Sequence, residues 1–226
     1  MNYEQCRNCY KLVDDNKLIQ YFIDVIEAKD KYTQGHSHHV KVITEAIYDC
    51  LPKNYQNKLD KSKIINAALL HDIGKIETPD MILNKASSLT DDEWKVMQEH
   101  PKTSKEILKN TVFREMGDWV LYHHERIDGR GYYGLKEEKI PLESKIIAIA
   151  DTFSALRTYR IYRPAKTMEE TLKIMRESAG TQLDKELLEY FFSLDIKTLD
   201  KLECNCEICR QRREALQDNG TYLGAR

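Results

Sequence analysis

The sequence predicts an all-α fold. Three observations carry this: apolar residues recur at helical spacing along the 226-residue chain, two capping boxes mark helix starts, and no alternating strand pattern of useful length appears. Residues 15–29 set Leu18, Ile19, Phe22, Ile23 and Ile26 on one stripe. Val40, Ile43, Ile47 and Leu51 form the next stripe, and Pro52 ends or closely follows that helix. Ile64, Ile65, Ala67, Ala68, Leu69 and Leu70 are apolar almost all round, the pattern of a central buried helix. It runs straight into His71-Asp72, with Gly74 as its expected C-cap. Thr90 with Glu93, and Thr167 with Glu170, are the capping boxes. Leu142, Ile146, Ile149, Ala150 and Phe153 mark a long helix with Asp151 in its second half. Residues 126–141, RIDGRGYYGLKEEKIP, hold three glycines and end in a proline. They are expected to form a long loop, and such loops in compact domains are often functional.

The core domain is expected over 15–195, between a cysteine-containing tail at 1–14 and a helical, cysteine-containing tail at 196–226. A hydrophobic content of 41% allows a buried core, and 32% charged residues suit a soluble surface. The net charge of −2 gives no global pull toward a nucleic-acid polymer or an anionic membrane, so neither is an expected partner. No apolar run approaches the ~18 residues of a transmembrane helix. The stretch MNYEQCRNCYKLVDDNK has no apolar signal-peptide core, and a cytoplasmic location is expected. Cys50 stands alone, while Cys6-x-x-Cys9 and Cys204-x-Cys206-x-x-Cys209 lie in the tails. In a reducing compartment this spacing favours metal or redox chemistry over structural disulfides. Four thiolates, from Cys6, Cys9, Cys206 and Cys209, suit one tetrahedral structural zinc; free thiols in the tails and a redox switch are the alternatives.

All seven histidines lie between positions 36 and 124, and they include the adjacent pair His123-His124 and the His71-Asp72 dipeptide. Imidazole and carboxylate suit Fe, Mn, Zn and similar divalent ions. His71-Asp72 at a helix terminus sets a nitrogen beside a carboxylate able to bridge two ions, and Asp151 arrives from another helix. His36, His100, His123 and His124 offer four more nitrogens. Seven ligands are too many for one ion that keeps an open position and suit two ions sharing a bridge. Such pairs, roughly 3.5–4 Å apart, recur in phosphate-ester hydrolysis, where a shared water is acidified to hydroxide. Lys75, a helical turn beyond His71, together with Arg160 and Arg163, suits an anionic phosphate. His38 and His39 are read as structural. His123-His124 taken alone reads equally well as packing, Arg160 and Arg163 alone as solvated surface, and Tyr32, Tyr132 and Tyr133 as packing or as ligand platforms.

These residues resemble a known family. HDIGK at 71–75 is similar to the signature of the HD phosphohydrolases, and HHERIDGRGYY at 123–133 to the HHExxDGxGYP motif of the HD-GYP subfamily. TQGHS at 33–37, LTDDEWKVMQEHP at 89–101, IPLESKIIAIADTFSAL at 140–156, RIYR at 160–163 and AGTQLD at 179–184 follow in the subfamily's order. The resemblance implies a helical bundle of the HD-domain type with a central multinuclear metal site. It implies hydrolysis of cyclic di-GMP to the linear dinucleotide pGpG and to GMP; another cyclic dinucleotide such as cyclic GMP-AMP, or a non-catalytic nucleotide receptor, is the alternative. By motif match, His36, His71, Asp72, His100, His123, His124 and Asp151 are the metal ligands, with iron or manganese expected. Asp72 and Lys75 fall at catalytic positions; Lys75, Arg160 and Arg163 fall at phosphate contacts. Asp128, Gly129, Gly131 and Tyr132 fall in the loop that names the subfamily. This chain departs from the pattern at three points: Tyr133 replaces the proline of the triplet and is expected to loosen the loop or to change partner contacts, Tyr32 replaces a glutamate that supports a third metal in some members, so two metals are expected, and His39 stands at a frequent arginine. No sensor or receiver domain precedes the motifs, so regulation is expected through the tails, a separate protein or a homodimer.

Overall fold

A computed structural model describes residues 15–30, 35–158 and 165–202. Among them there is no strand, only one isolated bridge between Ala179 and Leu183. Helix α1 (Asp15–Lys29) buries Ile19, Ile23 and Ile26, the stripe its periodicity predicts. α2 (His36–Cys50) buries Val40, Ile43 and Ile47. It packs against α3 (Lys61–Leu70) and also against the long helix that carries Asp151. Leu51 caps α2 through its amide, which donates to Tyr48 O, and Pro52 then opens a single turn, Lys53–Gln56. α3 starts where the Asp60 carboxylate accepts from Lys63 N, and it buries Ile64, Ala67, Ala68 and Leu70 at the centre of the core.

α3 stops at Leu70, and the backbone tightens into a 3-10 turn, Ile73–Glu77. Lys75 therefore sits three residues beyond Asp72 on that turn and not on a continued α-helix. Gly74 is not the expected left-handed C-cap; the positive-φ glycines among the described residues are Gly35, Gly129, Gly134 and Gly180. Close approach is what requires glycine here: a Cβ at position 74 would lie 2.0 Å from His100 O and 2.5 Å from Ser104 N. The Gly74 amide donates to Ser104 Oγ at 2.8 Å, and that hydroxyl donates to His71 O at 2.9 Å. One buried serine thus joins the end of α3 to the next long helix.

α4 (Asp91–Met97) begins at the Thr90–Glu93 capping box, and α5 (His100–Lys109) follows almost at once. α6 (Gly117–Leu121) packs on α5 and leads into His123-His124. Residues 126–141 are irregular apart from one 3-10 turn, Glu137–Lys139, as their glycines predict. α7 (Leu142–Arg157) buries Ile146, Ile147, Ile149, Ala150 and Phe153. α8 (Met168–Glu177) starts at the Thr167–Glu170 capping box, and α9 (Lys185–Phe192) at Asp184. α10 (Ile196–Lys201) inserts Leu199 into the core. No helix among the described residues is long and apolar enough to cross a membrane. Tyr32, Arg160, Arg163 and the tail cysteines Cys6, Cys9, Cys204, Cys206 and Cys209 lie outside the described residues. Cys50, the last residue of α2, is a half-buried free thiol.

A methyl group at position 74 meets backbone, which cannot swing aside. Gly74→Ala is therefore expected to cost about 2–3 kcal/mol in urea unfolding, the upper part of the overpacking range, although alanine suits the local φ. Wild-type stability in this variant would mean that the turn and α5 separate freely.

Candidate metal centre

The seven predicted ligands converge from five places in the chain. His36 opens α2, His100 opens α5, His71 and Asp72 follow the end of α3, His123 and His124 follow α6, and Asp151 projects from the second half of α7. They form two groups, Asp72 with His100, His123 and His124, and His36 with His71 and Asp151, each with its ligand atoms within 4.8 Å of one another.

Asp72 lies between the groups and turns one oxygen to each. Its Oδ1 is 3.1 Å from His100 Nε2 and 4.0 Å from His123 Nε2. Its Oδ2 is 3.3 Å from His71 Nε2 and 4.0 Å from His36 Nε2. Asp151 Oδ1 closes the second group, 3.1 Å from His36 Nε2 and 4.0 Å from His71 Nε2. Lys75 Nζ reaches Asp72 Oδ2 at 2.6 Å.

The second nitrogen of each imidazole fixes what the first can do. Nδ1 of His71 donates to Ala68 O at 2.7 Å, Nδ1 of His100 to Met97 O at 2.7 Å, and Nδ1 of His123 to Val120 O at 2.6 Å. In each case the acceptor is the carbonyl three residues earlier. A carbonyl only accepts, so Nδ1 carries the proton and Nε2 presents a bare lone pair. Those three Nε2 atoms are buried and have no hydrogen-bond partner. Buried polar atoms are nearly always paired, and three orphaned lone pairs converging on a shared carboxylate are the donor set of a divalent cation. The residues fit a pair of such ions. For His36, Nδ1 lies 2.8 Å from Ser154 Oγ, and His39 Nδ1 lies 2.9 Å from the same hydroxyl. With its Nε2 turned to the site, His36 would donate from Nδ1 to that hydroxyl, and the hydroxyl brings His39 within one hydrogen bond of a candidate ligand.

Burial opposes the Asp72 charge, but the Lys75 ammonium and the His71 and His100 imidazoles outweigh it and hold the carboxyl well below its ordinary range. Asp151 is likewise held down, against its burial, by His36 and His71. Burial pushes His36 and His123 down, and His124 to about 3. These imidazoles are neutral, the form that ligates metal. For His71, burial lowers the pKa but the Asp72 and Asp151 carboxylates prevail and raise it, so without an ion its Nε2 can take up a proton, which a bound cation would replace.

A cavity of about 600 Å³ opens over this centre. Lys75, His124 and Asp151 line it, with Trp94 and Tyr132 on an aromatic side and Arg126, Thr152 and Gln182 among its polar walls. Tyr132 stacks on His124 with ring centroids 4.7 Å apart. Asp128 grips Arg126 with two bonds, Nε at 3.0 Å and an NH2 group at 2.7 Å, and Arg130 N donates to it at 3.1 Å. Gly131 has no room for a side chain, because a Cβ there would lie 2.5 Å from Glu125 Cα.

Glu125 anchors this loop. It is buried, and its carboxylate accepts from Tyr133 N at 2.7 Å and from Leu135 N at 2.6 Å. Tyr133 therefore ties the loop to Glu125 by a bond that proline, with no amide hydrogen, could not make. Glu125, Ser154 and Trp94 stand inside the motifs quoted above and Ser104 just beyond one of them, yet residue type alone does not single them out. Their partners are distant in sequence or lie on irregular backbone, and only the fold pairs them.

A family model described as HD domain matches residues 20–187. This chain belongs to the HD domain family. The chain is 37% identical over 171 residues to the 3'3'-cGAMP-specific phosphodiesterase 3 of Vibrio cholerae, covering 75% of this chain and 36% of that protein. It is 43% identical over 127 residues to the cyclic di-GMP phosphodiesterase response regulator RpfG of Xanthomonas campestris, covering 54% and 34%. It is 35% identical over 178 residues to the cyclic di-GMP phosphodiesterase of Thermotoga maritima, covering 77% and 48%. The HD domain thus spans between a third and a half of these relatives. Among solved structures, the PgpH HD domain of L. monocytogenes in complex with cyclic-di-AMP shares the fold at a TM-score of 0.55 and 21% identity, covering 80% of this chain and 96% of that one.

Because both ligand groups lean on Asp72, Asp72→Ala is expected to remove divalent metal from both, with the helical circular dichroism kept. Elemental analysis of the purified variant checks this, and retention of wild-type metal content would refute a bridging role. Tyr133→Pro restores the family's residue but deletes a bond to a buried carboxylate. It is expected to lose about 1.5–3 kcal/mol in urea unfolding and to speed hydrogen exchange at Leu135 N, whereas Tyr133→Phe should leave both unchanged.

Proposed function

We propose that this HD domain is a metal-dependent phosphodiesterase that hydrolyses cyclic di-GMP to linear pGpG and onward to GMP. The observation that carries the reading is the pair of ligand groups sharing Asp72 beneath a cavity lined by Lys75. Two divalent ions, iron or manganese, would be held by His36, His71 and Asp151 on one side and His100, His123 and His124 on the other, with Asp72 between. When bound, such a pair supplies Lewis acidity toward water and the phosphoryl oxygens.

The chain's own groups do the rest. Asp72 and Asp151 stay ionised and fix the imidazoles around them. Lys75, tethered at Asp72, offers its ammonium to a non-bridging phosphate oxygen, and Arg160 and Arg163 are assigned to the same phosphates. Tyr132 lines the cavity, while Asp128 and Gly131 hold the loop that presents it. Cyclic GMP-AMP is the second reading, favoured by the similarity to a relative named as specific for it. A structural zinc at Cys6, Cys9, Cys206 and Cys209, and a regulatory protein or second copy as partner, are kept as separate proposals.

The test is hydrolysis by metal-loaded protein across cyclic di-GMP, cyclic GMP-AMP and cyclic di-AMP, with the products separated by chromatography. Cyclic di-GMP is expected to be consumed fastest. Arg160→Ala should lose ten- to a hundredfold in kcat/KM, from a charged contact worth ~1.5–3 kcal/mol, at unchanged metal content, and the Arg160→Ala, Arg163→Ala double variant at least as much. No turnover of any cyclic dinucleotide would sink the proposal, and wild-type kinetics in the double variant would remove the arginines from the site.

A further inference from the structure

α4 is held in an unusual way. None of its seven residues is buried. A short helix normally owes its existence to an apolar face packed on the core, and α4 has none. It is fastened instead by polar contacts: the Thr90–Glu93 capping box, with Thr90 N donating to Glu93 Oε2 at 2.7 Å, and the Lys85–Glu93 ion pair at 2.5 Å. The side chain these fastenings position is Trp94.

Trp94 is 48% exposed, yet it forms part of the wall of the cavity above the metal centre. Its ring meets Tyr132 edge to face, with centroids 6.5 Å apart and planes at 84°. Tyr132 in turn rests on His124 at 4.7 Å and 38°, and His124 is a member of a ligand group. Three rings therefore form a stepped aromatic wall running from the ligands toward solvent. Half-exposed indole is costly to leave in water, and here the exposed ring borders a cavity whose other end is built for phosphate.

We infer that Trp94 is a nucleobase platform: one base of the dinucleotide stacks on its indole while the scissile phosphate lies at the ligand groups. The inference rests on the proposed phosphodiester substrate and adds which residue binds its base. Stacking uses the π-face that every base has and so tolerates guanine and adenine alike. It acts before and during the chemical step equally, so its loss raises KM and leaves kcat near its wild-type value.

The chain has two tryptophans, Trp94 and Trp119. Trp119→Phe makes Trp94 the sole indole fluorophore. In that background, GMP added to metal-loaded protein is expected to quench the emission, and ribose 5-phosphate, which lacks a base, is not. In otherwise wild-type protein, Trp94→Ala should raise KM for cyclic di-GMP roughly five- to a hundredfold, with kcat within about twofold, metal content unchanged, and most of the loss recovered in Trp94→Phe. Since α4 buries nothing, circular dichroism of the variants should match wild type; were Trp94→Ala to misfold, the quenching pair and Trp94→Phe would still decide. Equal responses to GMP and ribose 5-phosphate, or a wild-type KM in a folded Trp94→Ala, would overturn the platform while leaving the phosphodiesterase reading intact. Quenching by GMP in protein that hydrolyses no cyclic dinucleotide would uphold the platform and overturn that reading instead.

Discussion

The structure depends on one buried carboxylate. Asp72 is 4% exposed and ionised, and burying such a charge costs several kcal/mol unless its surroundings compensate. Lys75 at 2.6 Å supplies the positive charge that faces it, and imidazoles from α2, the end of α3, α5 and the turn after α6 surround it with nitrogens through which a divalent cation would complete the compensation. No single helix can surround a carboxylate in this way. The arrangement demands that several helices end or begin at one point, and this explains why the ligands cluster at helix termini. At a C-terminal end, moreover, backbone carbonyls are left without helical partners. His71 and His123 use such carbonyls, Ala68 O and Val120 O, to lock their tautomers.

From that junction the rest of the site follows by close packing. The turn that carries Lys75 must lie against α5, and Gly74 and Ser104 make the approach possible. The loop after His124 must fold back over the cavity, and the two oxygens of Glu125 tie it down through two backbone amides. Net charge gives this chain no long-range attraction for an anion. A phosphate ester of the kind proposed would be attracted inside the cavity, where low-dielectric walls concentrate the field of a few cations. Lys75 is the described cation nearest the ligands.

Much of this was legible in the sequence, and the boundary is informative. Helical stripes and capping boxes are local, and α1, α2, α3 and α7 and both boxes lie where the periodicity put them. The gathering of the seven candidate ligands was legible in part from composition, since the adjacent pairs His71-Asp72 and His123-His124 stand out, and in part from motif match, which supplied His36, His100 and Asp151. Gly74 was misread because a glycine after a helix has two explanations, a left-handed cap and a close approach, and only the position of α5 chooses between them. Tyr133 was half legible for a related reason: the loss of proline is visible in the residue, whereas the bond its amide gives depends on Glu125, eight residues away across irregular backbone. Ser154 meets His36 across 118 residues, a pairing no local pattern encodes. Trp94 carried no signal at all, since an aromatic in a helical stretch usually means core, and here the helix buries nothing.

Stability and function pull against each other at this site. Three bare Nε2 atoms in the interior each forgo a hydrogen bond, a loss of about 1–3 kcal/mol apiece. Replacing them with apolar side chains of similar volume would favour the fold and end the chemistry. A divalent ion reverses the sign of that loss, because it binds these nitrogens in the folded chain far better than in the unfolded one, and its binding energy adds to folding. The same lone pairs that weaken the core alone hold it together when coordinated. The carbonyls of Ala68, Met97 and Val120 sharpen the effect: by fixing each tautomer beforehand, they spare an incoming ion the work of reorienting rings. In this fold the metal centre is thus part of the core's packing as much as part of the active cavity, and a change in any of the helix termini that meet at Asp72 acts on both.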